Sequence, residues 1–378
     1  MKNKYLSNFN LILFIYLAFT LTLVLIYGFD LSQFVQFSNL TDLSRIPFEI
    51  NPKDQTGYDG QFYIRLALNP FELDWAHENL PENNPSYRYS RIGYPLLLWS
   101  VSFFIKNQII IIAQLLNFIL IISIYFVNRN ILKFLNKDTS LAIIFAFFPG
   151  YLFCIARVTP EILEILLLSL AVYFYLRDRL MLFLIVSCFA LLTRETSIIF
   201  FISMFIYQIV FSKKNYKYSL FPILFYFIWI VILYLLFNNI PIGTGVSVNF
   251  NSPLSGILEI FRINRYSGNL LQGFTYILEY LHIFLLISLV FYKKKFFEDN
   301  IFKFTFFIYF LFFLTLNEVV LGTDWGFMRI LLELYYFLIL FLITDGGKKI
   351  FIVKLLNTSL FIFCFLRIVF EQYLTHNL

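Results

Sequence analysis

The sequence predicts an all-α membrane protein with about eleven transmembrane helices and interfacial helices in its first extracytoplasmic loop. Three observations carry that expectation. Of the 378 residues, 60% are hydrophobic and only 14% charged, whereas a soluble domain is about 25% charged. The mean hydropathy is +0.77. That is more apolar surface than a water-soluble chain of this length can bury, so a bilayer has to serve as solvent. Finally, apolar runs recur along the whole chain with short links, save one long polar stretch near the start.

The first run, Phe9 to Tyr27, follows Lys2 and Lys4. It is long enough to span, and no small-residue cleavage site follows in YGFDLSQF, so it reads as an uncleaved first helix. Residues 29–106 then form the first extracytoplasmic loop. Its polar part carries Pro47, Pro52, Pro70, Pro81 and Pro85. Its last part, Ile92 to Ile105, is apolar but too short for a full span and reads as interfacial or re-entrant. Spans are expected at 108–127, 139–155, 161–176, 180–192, 197–211, 220–237, 271–292, 301–320, 327–343 and 350–370. No linker separates modules, so residues 1–378 form a single polytopic domain.

Loop charge sets the orientation. With the N-terminus in the cytoplasm, the inner loops hold Arg129, Lys133 and Lys137; Arg177 and Arg179; Lys213, Lys214 and Lys217; Lys293 to Lys295; and Lys348 and Lys349. Short basic inner loops are what the positive-inside rule requires. Counting Ile92–Ile105 as a span would invert the later clusters. The expected location is therefore the inner (cytoplasmic) membrane, multi-pass, with the N-terminus cytoplasmic. No basic patch sits on a soluble module, which excludes a nucleic-acid partner.

The other face is rich in arginine and acid. Arg45, Arg65, Arg88, Arg91, Arg157, Arg194, Arg262, Arg265 and Arg329 lie there with Asp30, Asp42, Asp54, Asp59, Glu72, Asp74, Glu161, Glu195, Glu318 and Asp324. Charge near the hydrocarbon costs about 2.5–3.5 kcal/mol per residue, so it is retained for a reason. Arginine binds phosphate or carboxylate at two points and stays charged when buried. These residues therefore suit a lipid-phosphate headgroup, or else pair with neighbouring acids to hold helix ends together. Cys154, Cys188 and Cys364 match no metal-ligand spacing and read as small apolar residues in helices.

Five motifs concentrate the signal. GYDGQFYIRLALNPF, residues 57–71, has Asp59 before a segment patterned as an amphipathic helix on the outer membrane surface. Asp59 would stand at that helix's N-terminus, where an anionic side chain is favoured even as a plain cap. YRYSRIGYPLL, residues 87–97, places Arg88, Arg91 and Tyr94 ahead of an apolar run. RVTPEIL, residues 157–163, joins two spans, with Thr159 as the expected N-cap of the second. LLTRETS, residues 191–197, puts Arg194 and Glu195 in a very short outer link. LGTDWGFMR, residues 321–329, does the same with Asp324 and Arg329.

In this order and rough spacing, the first four motifs resemble a group of bacterial polytopic proteins linked to cell-surface glycopolymer formation. That group is similar to the GT-C superfamily of membrane glycosyltransferases, which includes the protein O-mannosyltransferases and the aminoarabinose transferase of lipid A. The resemblance covers about the first 215 residues; the remainder matches in hydropathy alone. It implies that an acid in the first outer loop is the catalytic base. Asp59 fits that place, with Asp30, at the end of the first helix, as the alternative.

The expected function is transfer of a sugar from a polyprenyl-phosphate donor, in the outer leaflet among membrane lipids, to a glycan, lipid or protein acceptor. Asp59 would take the acceptor proton, and attack opposite the phosphate would invert the anomeric centre. Arg91, Arg194 and Arg329 would hold the departing phosphate. Tyr58, Gln61, Arg88, Tyr94, Arg157, Glu161, Glu195 and Asp324 would complete the substrate-binding set. No cofactor is required; a divalent cation is allowed near Asp59, but no ligand cluster demands one. The competing readings are a polysaccharide polymerase or ligase and a transporter of lipid-linked glycans.

Overall fold

A computed structural model describes residues 2–39, 46–52, 57–73, 84–212, 216–241, 249–260, 270–291, 300–321, 327–345 and 349–377. The regular elements among them are helices. Five are long and apolar enough to cross a membrane: Ser7–Ile26, Lys106–Phe134, Glu195–Ser212, Tyr216–Phe237 and Lys349–His376. A bent pair, Thr139–Ala146 with Gly150–Arg157, makes a sixth if counted as one span. Three shorter apolar helices, Leu180–Thr193, Ile277–Val290 and Ile301–Leu314, lie among them.

Helix α1 spans Lys2–Ile26, α2 Gly60–Leu68, α3 Pro85–Ser90, α4 Gly93–Ser102 and α5 Ile109–Phe134. Then come α6, Ile143–Ala146, α7, Gly150–Arg157, α8, Glu161–Leu176, α9, Leu180–Thr193, α10, Ile198–Tyr207, and α11, Tyr216–Phe237. The remainder are α12, Ser255–Ile260, α13, Leu270–Phe291, α14, Ile301–Leu314, α15, Glu318–Leu321, α16, Phe327–Ile330, α17, Leu332–Asp345, and α18, Lys349–Asn377.

Where a single span was expected at 139–155, the chain bends by 45° between α6 and α7. Pro149 lies in the break. A proline cannot donate to the preceding turn and pushes its predecessor out of the helical region. The expected span 301–320 likewise ends early, at Leu314. The expected 161–176 coincides with α8.

Helix α5 is the central strut. Gln114 donates to the Ile155 carbonyl, and Asn128 donates to Ser169 on α8 while accepting from Tyr336 on α17. Tyr335 donates to Asn357 on α18, which itself donates to the Phe147 carbonyl in the α6–α7 break. Interhelical hydrogen bonds of this kind average about 0.6 kcal/mol each in a membrane. Their larger effect is to fix helix rotation. By contrast α11 keeps Leu224, Phe227, Ile228 and Leu235 exposed, the signature of a lipid-facing helix.

The two ends of the bundle differ. At one end Arg177 packs over Phe134, so the C-termini of α5 and α8 meet. Asn300 there donates to Thr344, and Lys349 to the Leu289 carbonyl. At the other end Tyr27, just past α1, donates to Gln372 of α18, and Lys106 donates to the Leu68 carbonyl. That second end holds the start of α8, the end of α9 and the start of α17, and with them Glu161, Arg194 and Glu333.

One expectation about this end needs correction. Helix α2 is not an amphipathic helix lying on a surface. All of its residues except Phe62 are buried, Gln61 and Arg65 included. A close contact explains this. A Cβ on Gly60 would stand 2.3 Å from the Arg157 carbonyl oxygen, so α2 begins directly against the end of α7. A surface helix would leave that backbone free; this one is wedged between loop and bundle.

Candidate functional site

The site begins with the glycines that let backbones touch. Gly57 has φ +71, a left-handed conformation that favours glycine, and its neighbour Tyr58 donates its N–H to the Gln36 carbonyl at 2.9 Å. Gly60 seats α2 on Arg157, as above. At Gly93 an added Cβ would meet Thr193 Oγ1 at 2.6 Å, so α4 starts against the end of α9 beside Arg194. Between these contacts, Asp59, Arg88 and Arg91 are carried to the ends of α7, α8 and α9.

Asp59 sits just before α2 but does not cap it. Its backbone is helical, φ −54 and ψ −30, and its side chain makes no cap hydrogen bond. Instead Arg88 Nη1 donates to Oδ1 at 3.1 Å and Arg329 Nη2 to Oδ2 at 3.0 Å. Burial alone would raise the carboxyl's pKa; Arg88, then Arg329 and Arg91, outweigh it and hold Asp59 well below the usual carboxylate range. The guanidinium of Arg88 lies 3.6 Å from the Phe62 ring centroid. Tyr58 faces two guanidiniums, Arg329 at 5.1 Å and Arg157 at 5.8 Å. Such contacts contribute about 0.5–2 kcal/mol each. Burial pushes the Tyr58 phenol up, so it stays protonated.

Two further acids frame the arginines. Glu161 Oε1 lies 3.3 Å from Arg329 Nε, and its other oxygen accepts from the Cys154 thiol at 3.6 Å. Glu195 takes Arg91 in a two-point pair, Nε to Oε2 at 2.7 Å and Nη2 to Oε1. Arg91 also donates to Tyr63 and to Tyr87, whose phenol burial pushes up to about 12. Arg194 and Glu195, adjacent in the chain, thus pair with different partners rather than with each other.

Arg194 departs from expectation. It does not face Asp59. Its Nη1 lies 3.3 Å from Glu164 and 3.2 Å from Glu333, all three side chains being nearly inaccessible. Thr196 and Ser197 donate to the same two carboxylates, so both buried acids are paired with the cation and hydrogen-bonded, the arrangement that burial requires. Arg88 takes the place beside Asp59 that sequence reasoning gave to Arg194.

The remaining expected residues are structural neighbours. Gln61 accepts the Ser38 N–H at 3.1 Å and ties the loop to α2. Tyr94 is buried edge-on to Tyr63, ring centroids 6.1 Å apart. Arg157 donates to the carbonyls of Gln33 and Ala156. It ends α7 before Val158, whose φ of +49 is costly for a β-branched residue. Thr159 is not the N-cap of α8; Pro160 occupies that position without a side-chain bond. Asp30, the alternative base, caps a short 3-10 turn at Leu31–Phe34. It accepts from Ser32, Gln33 and Asn51. Burial raises its pKa, and those donors outweigh it, leaving a net lowering. Asp324 lies outside the described residues.

Sequence reasoning missed Glu164, Glu333 and Tyr63. The signal was present for the acids: Glu164 is one turn from Glu161, and Glu333 four residues after Arg329, each inside an otherwise apolar run. Ionisable residues in such runs are rare enough to be noticed for that reason alone.

The site is therefore a carboxylate between two largely covered arginines, with Glu161 on Arg329 and the Arg91–Glu195 pair beside them. It can bind an oxyanion, orient a hydroxyl and accept a proton. Among the described residues no group of three His, Cys, Asp or Glu side chains is gathered for a metal ion. The chain matches no protein-family model, no curated protein and no solved structure.

Proposed function

We propose that this protein is a GT-C-like membrane glycosyltransferase of the bacterial cytoplasmic membrane, with about eleven spans and its active site on the extracytoplasmic face. It moves a sugar from a polyprenyl-phosphate donor to a glycan, lipid or protein acceptor of the cell surface. The observation that supports this best is Asp59 clasped by Arg88 and Arg329 at the arginine-rich end of an apolar bundle. Arg88, Arg329 and Arg91 hold the lipid phosphate as charge grows on it. Electrostatic stabilisation of that kind is often the largest contribution to such a reaction. Asp59 takes the acceptor proton, an effect of about 10²–10⁴ in rate. Glu161 and Glu195 orient Arg329 and Arg91, and the sugar leaves with inverted configuration.

The test is transfer of a labelled sugar from a synthetic polyprenyl-phosphate sugar by the purified protein in nanodiscs. Transfer that depends on Asp59 supports the reading. No transfer from any polyprenyl-phosphate sugar, to any acceptor in a cell-envelope extract, defeats it.

One observation favours a second reading. Glu279 and Arg367 form a buried ion pair at 2.6 Å between α13 and α18. Paired charges within helices also occur along transport pathways. A transporter of lipid-linked glycans moves label across the bilayer without making a new glycosidic bond, and product analysis separates the two.

A further inference from the structure

Asp59 poses a difficulty for its own role. Both oxygens are engaged, by Arg88 at 3.1 Å and Arg329 at 3.0 Å. A carboxylate held in this way resists protonation and is a weak base. The arginines, in contrast, are under-used. Among the described residues, Arg329 Nη1 is buried with no hydrogen-bond partner, and so is Arg88 Nε. Arg329 Nε, 3.3 Å from Glu161, also lacks a bond of good geometry. A buried donor left without an acceptor is destabilising, so such a site favours a ligand that supplies acceptors.

Exposure gives the direction of approach. The Arg88 and Arg329 side chains are 14% and 10% accessible, and Asp59 is 29% accessible. The carboxylate therefore stands on the open side of the two guanidiniums. It covers part of their donor surface and leaves the rest unfilled. A phosphate group carries more acceptor oxygens than a carboxylate, and paired guanidiniums bind it at several points.

We propose that Asp59 is the built-in occupant of a phosphate site: an incoming phosphate ester replaces it on Arg88 and Arg329, and the released carboxylate then serves as the base. This rests on the transferase reading above. For a polyprenyl-phosphate sugar the exchange swaps one monoanion, the carboxylate, for another, the phosphodiester. In the reaction the acceptor oxygen bonds to the anomeric carbon. The bond from that carbon to the phosphate oxygen breaks, its electron pair staying on the polyprenyl phosphate. The acceptor's proton passes to Asp59. The base is thus freed only when a donor phosphate is seated, which limits wasteful activation of water at an empty site.

The experiment measures binding of two probes to the full chain in phosphatidylcholine nanodiscs: polyprenyl phosphate in the bilayer and inorganic phosphate in solution. The proposal expects Asp59→Asn to bind polyprenyl phosphate at least tenfold more tightly than the parent, while losing transfer. Equal or weaker binding by Asp59→Asn, with the parent binding normally, overturns the exchange and leaves the phosphate site intact. Inorganic phosphate binding as tightly as the lipid, and tightened likewise by Asp59→Asn, supports the exchange but overturns a lipid source. Binding of neither probe to either protein overturns the transferase reading itself. Should Asp59→Asn fail to fold, the parent protein suffices. Grown with ¹³C-carboxyl aspartate, it must show a shifted carboxylate band in the infrared difference spectrum when polyprenyl phosphate is added. An unchanged band overturns the exchange.

Discussion

Arg194 is the sharpest point at which structure and sequence disagree, and Arg194→Met tests which is right. In the structure this guanidinium pairs with two buried carboxyl groups, Glu164 and Glu333, at 3.3 and 3.2 Å. The three side chains are 6%, 0% and 1% accessible, so water cannot take over the role of the lost cation. Removing one partner of a fully buried pair leaves an uncompensated charge and costs about 3–5 kcal/mol. The assay is unfolding by SDS titration in mixed micelles, read by tryptophan fluorescence. A second change, Glu333→Gln, removes one of the stranded charges and should recover at least about 1 kcal/mol, within the coupling range of contacting residues. Suppose instead that Arg194→Met unfolds within about 0.5 kcal/mol of the parent and loses only transfer. Then Arg194 is a substrate ligand and the structural role given to it here is wrong.

Four other outcomes follow from the same geometry. Gly60→Ala forces a Cβ to within 2.3 Å of the Arg157 carbonyl oxygen, displacing the residue next to Asp59 by about an ångström; the transfer rate should fall about 100-fold, since such misplacement carries that cost. Asp30→Ala removes the cap of the Leu31–Phe34 turn; stability should drop by about 1 kcal/mol with transfer retained, and total loss of transfer would reassign the base. Arg91→Lys breaks the two-point pair with Glu195 and should lower the rate without abolishing binding of donor, as seen by separate kcat and KM values. Asp59 is depressed below its ordinary pKa of 3.8. Its stabilisation is therefore complete above that pH and is lost as pH falls through its lower folded value. The unfolding midpoint of the parent should fall more steeply than that of Asp59→Asn between pH 4 and about pH 2.

Much of the fold was legible because a bilayer makes hydrophobicity nearly sufficient. Helix α8 runs over the residues its apolar pattern marked, and α5 and α11 lie where their runs placed them. The breaks were less legible. Pro149 was visible, but whether a proline bends or ends a helix depends on what packs into the gap, here Asn357 on the Phe147 carbonyl. The burial of α2 was not readable at all. Its amphipathic pattern is real, yet its polar residues are covered by tertiary contacts, with Gln61 on the Ser38 N–H and Gly60 against the Arg157 carbonyl.

The site was half legible for the same reason. Residue type and position at helix ends identified Asp59, Arg88, Arg91, Glu161, Glu195 and Arg329. The pairing among them was not accessible to sequence, because Arg329 reaches Asp59 across 270 positions of chain. Nor could spacing show that Arg194 turns toward Glu164 and Glu333 while its neighbour Glu195 turns toward Arg91. That choice is made by the rotation of a three-residue 3-10 turn, Glu195–Ser197, at the start of α10.

The central claim is that Asp59 and its two arginines break a sugar–phosphate bond on a lipid. Phosphorus NMR of a polyprenyl-phosphate sugar incubated with the purified protein and an acceptor extract reads that bond directly. The account predicts that the phosphodiester signal converts to a phosphomonoester signal with the parent and with Asp30→Asn, and stays unchanged with Asp59→Asn. Conversion at the parent rate by Asp59→Asn would contradict it.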